Sequence, residues 1–375
     1  MPRALSAGSV GAPAVTSSDP VPISLQLAGQ VAAALAQGAN SSAAALAGEA
    51  ADAFLAEQGL PNFDAPNMMR LGAHALLLVG DHARALRTLD RAQDLAAPLP
   101  AGEPFDRLRV QLERLRGEAL LAAGDRPAAR AALESALALC DATLEPQDID
   151  VAVVHNMLGI VGKFSGRFDD AVAHYTRAGE IFGACGVGDD VLGVLHHNLG
   201  GLAHSRGDLQ TAERETRRAL ELHTACAGPA HRDTAADRGQ LGAILSELGR
   251  HEEAERELRR TAVDMIAAHG VDHLEVAIAR TALGAALHRT GRLDDADSAY
   301  RDGLAVRERT QGSTHPELAP TLLNLSRLCE QRGDRDQAVG FAQRAAANLD
   351  GAVTGDHPIL RAARERLAEL EGAAS

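Results

Sequence analysis

The chain has 375 residues, and its 37 basic against 51 acidic side chains give a net charge of −14. It contains seven Phe, two Tyr and no Trp, so its 46% apolar content consists mainly of Ala and Leu. Because Ala packs well only where helices approach closely, this composition favours a thinly layered, all-helical fold over a sandwich, a barrel or a parallel-sheet enzyme. An acidic chain without basic blocks is not expected to bind nucleic acid, since phosphate neutralisation supplies most of that affinity.

The first 20 residues carry Gly, Pro, Ser and Ala without periodicity, and we expect residues 1–20 to be disordered. They lack the apolar core of a secretory signal, and no run in the chain approaches the length of a membrane span. We therefore predict a cytoplasmic protein that does not contact a membrane.

From there onward a glycine recurs in steps of 41 to 44 residues, with an Ala five residues later and another small residue twelve residues later. These turn glycines are Gly38, Gly80, Gly124, Gly166, Gly207, Gly249, Gly291 and Gly333. Glycine adopts the conformation of a tight turn between helices, and small residues let neighbouring helices approach. The spacing predicts about eight antiparallel helix hairpins stacked into a superhelical solenoid.

The regularity of the repeat divides the chain. Residues 21–150 are predicted to form degenerate repeats, and residues 151–356 a regular array with a period of 42 residues. Residues 357–375 have no following partner, so we expect a capping helix and a tail, because the last repeat of a solenoid needs a polar outer face.

The Leu-Gly pairs, such as Leu158–Gly159 and Leu241–Gly242, together with the turn Gly and the Ala positions resemble the tetratricopeptide repeat family. The segment GSTHPELAPTLLNLSRL is similar to the longer repeats of kinesin light chains and their bacterial relatives. This resemblance implies an all-α, right-handed superhelical solenoid, in which the first helix of each hairpin (helix A) lines a concave groove.

A second ladder consists of four histidines spaced 42 residues apart: His231, His273, His315 and His357. Equivalent sites in neighbouring repeats lie on the order of 10 Å apart, whereas metal ligands converge within about 2–2.6 Å of one ion. We interpret the ladder as structural, with each His in a loop and Pro316 or Pro358 at the start of the next helix. We predict neither a metal nor another cofactor.

Three side-chain amides, Asn198, Gln240 and Asn324, share one position of helix A that would face the groove. An amide can donate to and accept from the backbone of an extended peptide whatever its sequence, and the resemblance implies this role because peptide-binding family members use Asn here. The alternative is an amide that bonds only to its own helix surface. The predicted peptide-binding residues are Asn156, Lys163, His197, Asn198, His204, Gln240, His288, Arg289, Asn324 and Arg327.

Two functions remain open. The first is a non-enzymatic scaffold that binds a peptide or a partner helix in the groove, with a homodimer also conceivable. The alternative is an enzyme or a small-molecule or metal sensor with a histidine-lined pocket around His155–His204, whose catalytic residues would be His197, His204, Lys163 and Glu247. The i, i+7 spacing of His197 and His204 exceeds the i, i+4 pair of a zinc-binding helix, which favours the scaffold.

Overall fold

The computed structural model describes residues 21–229 and 231–372, and within these ranges it contains helices and no strands. The predicted disorder of residues 1–20 lies outside the described residues. The helices are α1 (Ile23–Ala36), α2 (Asn40–Gln58), α3 (Asp64–Leu78), α4 (His82–Ala96), α5 (Phe105–Ala122), α6 (Arg126–Thr143), α7 (Ile149–Ser165), α8 (Phe168–Cys185), α9 (Asp189–Ser205), α10 (Leu209–Ala227), α11 (Arg232–Glu247), α12 (His251–His269), α13 (Leu274–Arg289), α14 (Leu293–Gln311), α15 (Ala319–Gln331), α16 (Arg335–Leu349) and α17 (Pro358–Gly372), and the 3-10 turn η1 (Pro316–Leu318) precedes α15.

Helices α1 to α16 form eight successive hairpins, and α17 packs on α16 as a cap. The eight turn glycines all have a left-handed backbone, with φ between 69° and 88°. In four hairpins the Asp after the turn glycine accepts a hydrogen bond from the third residue of the next helix, as Asp125 does from the N–H of Ala128. The Gly therefore ends helix A, and the Asp begins helix B.

Small residues set the distance between the two helices of a hairpin. A Cβ atom added to Gly159 would lie 2.5 Å from the ring of Tyr175, and one added to Gly242 would lie 2.6 Å from Leu258. The Ala five residues after each turn glycine is fully buried in all eight hairpins. Two core clusters follow the chain through successive hairpins, one from α1 to α5 and one from α5 to α9. No helix in the described ranges is both long and apolar enough to cross a bilayer.

The superhelix closes on itself where two of its turns meet. The Arg126 guanidinium pairs with Glu317, which lies 191 residues further along the chain. His315 Nε2 donates to the carbonyl oxygen of Ala122 at 3.3 Å, and the amide of Thr354 donates to the carbonyl oxygen of Ser165 at 3.1 Å. We call this contact, between the α5/α6 and α7/α8 turns and the segments that precede α15 and α17, the seam.

Histidines of the 42-residue ladder cap helices and also build the seam. The Nδ1 atoms of His231, His315 and His357 each accept a hydrogen bond from the backbone N–H two residues later, at 3.2 to 3.3 Å. At the seam, a Cβ added to Gly124 would lie 3.1 Å from His315, and one added to Gly166 would lie 2.9 Å from His357. These two turn glycines are therefore needed for close approach as well as for their positive φ.

Candidate functional site

A cavity of about 540 Å³ opens on the helix A side of three successive hairpins, between α9, α11 and α13. We call it the groove cavity. The first helices of the three hairpins supply most of its wall, namely Val194, His197, His204, Ala236, Gly239, Gln240, Ala243, Ile278 and Ala282. Its floor includes Asp237 together with His223, Thr261 and Met265 from the second helices of two hairpins. The cavity is thus mainly apolar with a few polar groups, as ligand pockets generally are.

The polar centre of the groove cavity is a carboxylate held between two histidines. Asp237 is fully buried, and its two oxygens contact His197 Nδ1 at 2.7 Å and His223 Nδ1 at 2.6 Å. His197 lies on α9, His223 on α10 and Asp237 on α11, so the carboxylate joins three helices. A buried carboxylate is tolerated when it is paired and hydrogen-bonded in this way.

The two histidines differ in how many of their ring nitrogens are bonded. His223 Nδ1 contacts Asp237, and its Nε2 faces the carbonyl oxygen of Asp190 at 3.3 Å, so both of its ring nitrogens lie against acceptors. Because a carboxylate accepts, His197 Nδ1 donates to Asp237, and within the described residues its Nε2 forms no hydrogen bond. The ring of His197 also lines the groove cavity.

A second polar group lies at the ends of α9, α11 and α13. His204 Nε2 is 3.1 Å from Glu247, and Arg289 donates to Glu247 at 3.3 Å and to Ser246 at 3.1 Å. Burial raises the pKa of Glu247, but the bonds from His204 and Arg289 outweigh it and hold that pKa below its ordinary value. Glu247 is therefore a carboxylate engaged by its neighbours, and this cluster also links three repeats.

The groove amides of α7, α9 and α11 are bonded across repeats, two of them to each other. Asn198 Nδ2 donates to Asn156 Oδ1 at 3.1 Å, and both side chains are more than nine-tenths buried. Gln240 Nε2 donates to the carbonyl oxygen of His197 at 3.1 Å and to Thr216 at 2.8 Å. Asn156, whose position in the repeat differs from that of Asn198, is thus its direct partner. Within residues 21–229 and 231–372, Asn198 Oδ1 and Asn156 Nδ2 form no hydrogen bond.

Lys163, the only lysine in the sequence, lies inside the superhelix beside the seam. Its side chain is half-buried and lines a cavity at the seam. Burial lowers its pKa to about 8, and Glu317 only partly offsets this. A Cβ added to Gly201 on α9 would lie 3.2 Å from Lys163 Nζ and 3.3 Å from Gln240 Oε1. The ammonium group and the Gln240 amide therefore lie on either side of Gly201.

The remaining candidates lie apart from the groove cavity. His155 contacts His174 at 2.9 Å across its own hairpin, and burial with the charge of neighbouring groups lowers the pKa of His155 to about 4. Further along the array, His288 bonds to Gln331 at 3.1 Å, and Arg327 donates to Asn324 at 3.4 Å. Of the four catalytic candidates, His197 and His204 line the groove cavity, Glu247 bonds to His204, and Lys163 lines the seam.

Sequence analysis did not identify Asp237 or His223 as site residues. His223 lies on the second helix of its hairpin, and only the first helices were expected to line the groove. The available signal concerned Asp237: other repeats carry the uncharged residues Val154, Leu195, Ala279 and Thr321 at the equivalent position. In the described part of the chain, no three His, Cys, Asp or Glu side chains form a group that could hold a metal ion.

Comparison with known protein families identifies the repeat. The tetratricopeptide repeat family matches residues 107–183, 191–262 and 275–350, and a second profile of the same repeat matches residues 73–91. The chain belongs to the tetratricopeptide repeat family. A comparison with curated proteins found no match.

Solved structures share the fold over nearly the whole chain. A Rap protein complexed with competence and sporulation factor is similar, with a TM-score of 0.62 and 15% identity over 93% of this chain and 98% of that one. NprR in complex with its cognate peptide NprX has a TM-score of 0.57 and 15% identity, over 81% of this chain and 82% of that one. The apo form of RapI has a TM-score of 0.52 and 12% identity, over 94% of this chain and 98% of that one. At these identities the likeness establishes a tetratricopeptide-type solenoid and no more.

Proposed function

We propose that the chain is an interaction scaffold that binds an extended peptide along the helix A side of α7, α9 and α11. The observation that carries this proposal is the Asn198–Asn156 hydrogen bond, which fixes both amides. Asn198 Oδ1 and Asn156 Nδ2 are left without a partner among the described residues. An extended peptide presents an N–H and a C=O on the same edge, so the pair matches its main chain.

The acidic groups in and beside the groove cavity are engaged by protein partners, which supports recognition of main chain rather than of charge. Asp237 contacts His197 and His223, and Glu247, beside the cavity, contacts His204 and Arg289. Arg232 and Asp233 at the cavity wall contact each other. In its neutral form, the His197 ring offers Nε2 as one more acceptor to a peptide N–H, and the apolar wall provides contact for uncharged side chains.

Two of the structures with the same fold are complexes, one of them of NprR with its cognate peptide. We extend peptide binding from those proteins to this chain as part of the proposal. The amide pair lies on α7 and α9, and the groove cavity continues the same helix A side over α9, α11 and α13, so adjacent repeats offer the length that an extended ligand requires.

The test begins with selection of a random heptapeptide library on the immobilised full-length chain, followed by measurement of the dissociation constant of the best peptide. Asn198→Ala removes one main-chain contact and disturbs its partner amide. We expect this variant to lose about 1.5–2 kcal/mol of binding free energy, which corresponds to roughly 10- to 30-fold weaker peptide binding. Gln210→Ala, at an exposed site on α10, is the matched control and should bind like the wild type. If the folded Asn198→Ala protein binds within twofold of the wild type, the proposal is wrong.

One observation favours a second candidate function. Asp237 orients His197 so that Nε2 of the neutral ring is an acceptor at the cavity wall, which is the arrangement of a general base. A small-molecule or catalytic site would then occupy the groove cavity. Native mass spectrometry distinguishes the candidates: a small molecule retained by the wild type and lost from His197→Gln supports the second function, and a peptide requirement supports the first.

A further inference from the structure

The seam encloses a cavity of about 220 Å³ that shares no lining residue with the groove cavity. One wall belongs to the earlier turn of the superhelix and includes Arg126, Lys163 and Phe164. The other wall belongs to the later turn and includes Glu317, Pro320 and Ile359. A molecule in this seam cavity would therefore contact both turns at once.

Arg126 is built into this cavity with one donor unused. Its side chain is only 4% exposed, and Nη2 pairs with Glu317. Its Nη1 atom is buried and has no hydrogen-bond partner in the described part of the chain. Burying a charged donor without an acceptor is unfavourable, so an acceptor supplied by a ligand would complete the site.

Lys163 supplies a second cation to the same space. Its ammonium nitrogen lies 4.3 Å from the centre of the Phe164 ring, and the Arg126 guanidinium lies 5.7 Å from the same centre. Among the described residues, no carboxylate lies within the 4.0 Å of a salt bridge from Lys163 Nζ. The ring partly stabilises both cations but cannot accept a hydrogen bond as an anion does.

The charges of the wall define the charge of the missing group. Arg126 and Lys163 contribute two positive charges, and Glu317 contributes one negative charge. His357 also lines the cavity, but its Nδ1 accepts the N–H of Ile359, so its ring remains neutral while that bond exists. One positive charge is left over, which a monoanion would balance. Apart from Ser205, the rest of the lining is apolar, including Phe168, Leu349 and Pro358.

We propose that the seam cavity binds a monocarboxylate that carries a compact apolar group, with its carboxylate on Arg126 Nη1 and Lys163 Nζ. Because the two walls belong to different turns, the ligand favours the closed superhelix over any opened form. The ligand is thereby a stabiliser of the closed state, by an amount that grows with its concentration. This site does not depend on the peptide groove.

The test uses the uniqueness of Lys163. Reductive methylation of the full-length chain with ¹³C-formaldehyde gives a single lysine signal, distinct from that of the terminal amine, which is then observed during titration at pH 6.5. Hexanoate and phenylacetate should move this signal and saturate, whereas hexanamide and phenylacetamide, which have the same shape without the charge, should leave it in place. If acids and amides act alike, or neither acts, the proposal is refuted.

Calorimetry on unmodified variants provides the second measurement. Lys163→Met removes the charge and, among the described residues, breaks no hydrogen bond or ion pair. We expect at least tenfold weaker hexanoate binding. Arg167→Met removes an exposed cation beside the same turn and should bind within twofold of the wild type. Wild-type affinity in Lys163→Met would overturn the proposal, as would inorganic phosphate binding more tightly than the carboxylates.

One further comparison identifies the source of the carboxylate. N-acetylleucine imitates the C-terminus of a peptide, and 4-methylpentanoate is the corresponding free acid. Tighter binding of N-acetylleucine would support a peptide terminus as the natural ligand, and tighter binding of 4-methylpentanoate would support a free organic acid. Failure of both, with peptide binding intact, would refute the seam site and leave the proposed function standing.

Discussion

Replacing the carboxylate that joins α9, α10 and α11 should destabilise the protein strongly. Asp237→Asn keeps the shape of the side chain but removes its charge, and its amide nitrogen cannot accept from a histidine. Two charge-assisted hydrogen bonds of 2.7 and 2.6 Å are affected, each worth about 1.5–3 kcal/mol. Since one oxygen still accepts, we expect a loss of about 3 kcal/mol in the free energy of unfolding.

Urea denaturation followed by far-UV circular dichroism measures this loss. Asp233→Asn is the matched control on the same helix, because its side chain is 43% exposed and its change should stay within about 0.5 kcal/mol. Hydrogen exchange should show faster opening of α9, α10 and α11 in Asp237→Asn, with α1 to α4 unchanged. A destabilisation below about 1 kcal/mol, or exchange that rises evenly along the chain, would refute the assigned role of Asp237.

Three further predictions concern the seam. Gly166→Ala places a Cβ 2.9 Å from His357 and should lower the free energy of unfolding by at least 1 kcal/mol more than Gly207→Ala does. Gly207 has a similar φ but open space around it, so equal losses of stability in urea titrations would contradict the close contact. Burial lowers the pKa values of His315 and His357, so these side chains bind protons at higher pH in the unfolded chain than in the folded one. The free energy of unfolding should therefore fall as the pH drops below about 6.5. Urea midpoints that do not change between pH 7.5 and 5 would contradict this. The ¹³C-methyl signal of Lys163 should titrate near pH 8 without ligand, and an unperturbed midpoint would show that its ammonium is hydrated.

The hairpins could be predicted from sequence because each is specified locally. The turn glycine, the Ala five residues later and the helical spacing of apolar residues act within one repeat and recur along the array. The helix bounds follow these signals closely, and α17 begins at Pro358, after the last ladder histidine. Local rules of this kind contain no information about which distant turns meet.

The seam and the groove chemistry depend on such distant contacts. Arg126 and Glu317 are 191 residues apart, and their approach is set by the small rotation accumulated over several repeats. The pairing of Asn198 with Asn156 likewise depends on how adjacent helices are rotated. It could not be predicted from the repeat pattern, because the two residues differ by one position in their repeats. His223 reaches the groove cavity from a second helix because Gly193, opposite it on α9, has no side chain in its path.

The most direct test of the account is a crystal structure of the full-length chain with a peptide selected from the library. We predict an extended peptide on the helix A side, with a main-chain N–H within about 3.2 Å of Asn198 Oδ1 and a main-chain carbonyl near Asn156 Nδ2. A peptide bound to the outer helices, or one in the groove cavity that makes no main-chain contact with either amide, would contradict it.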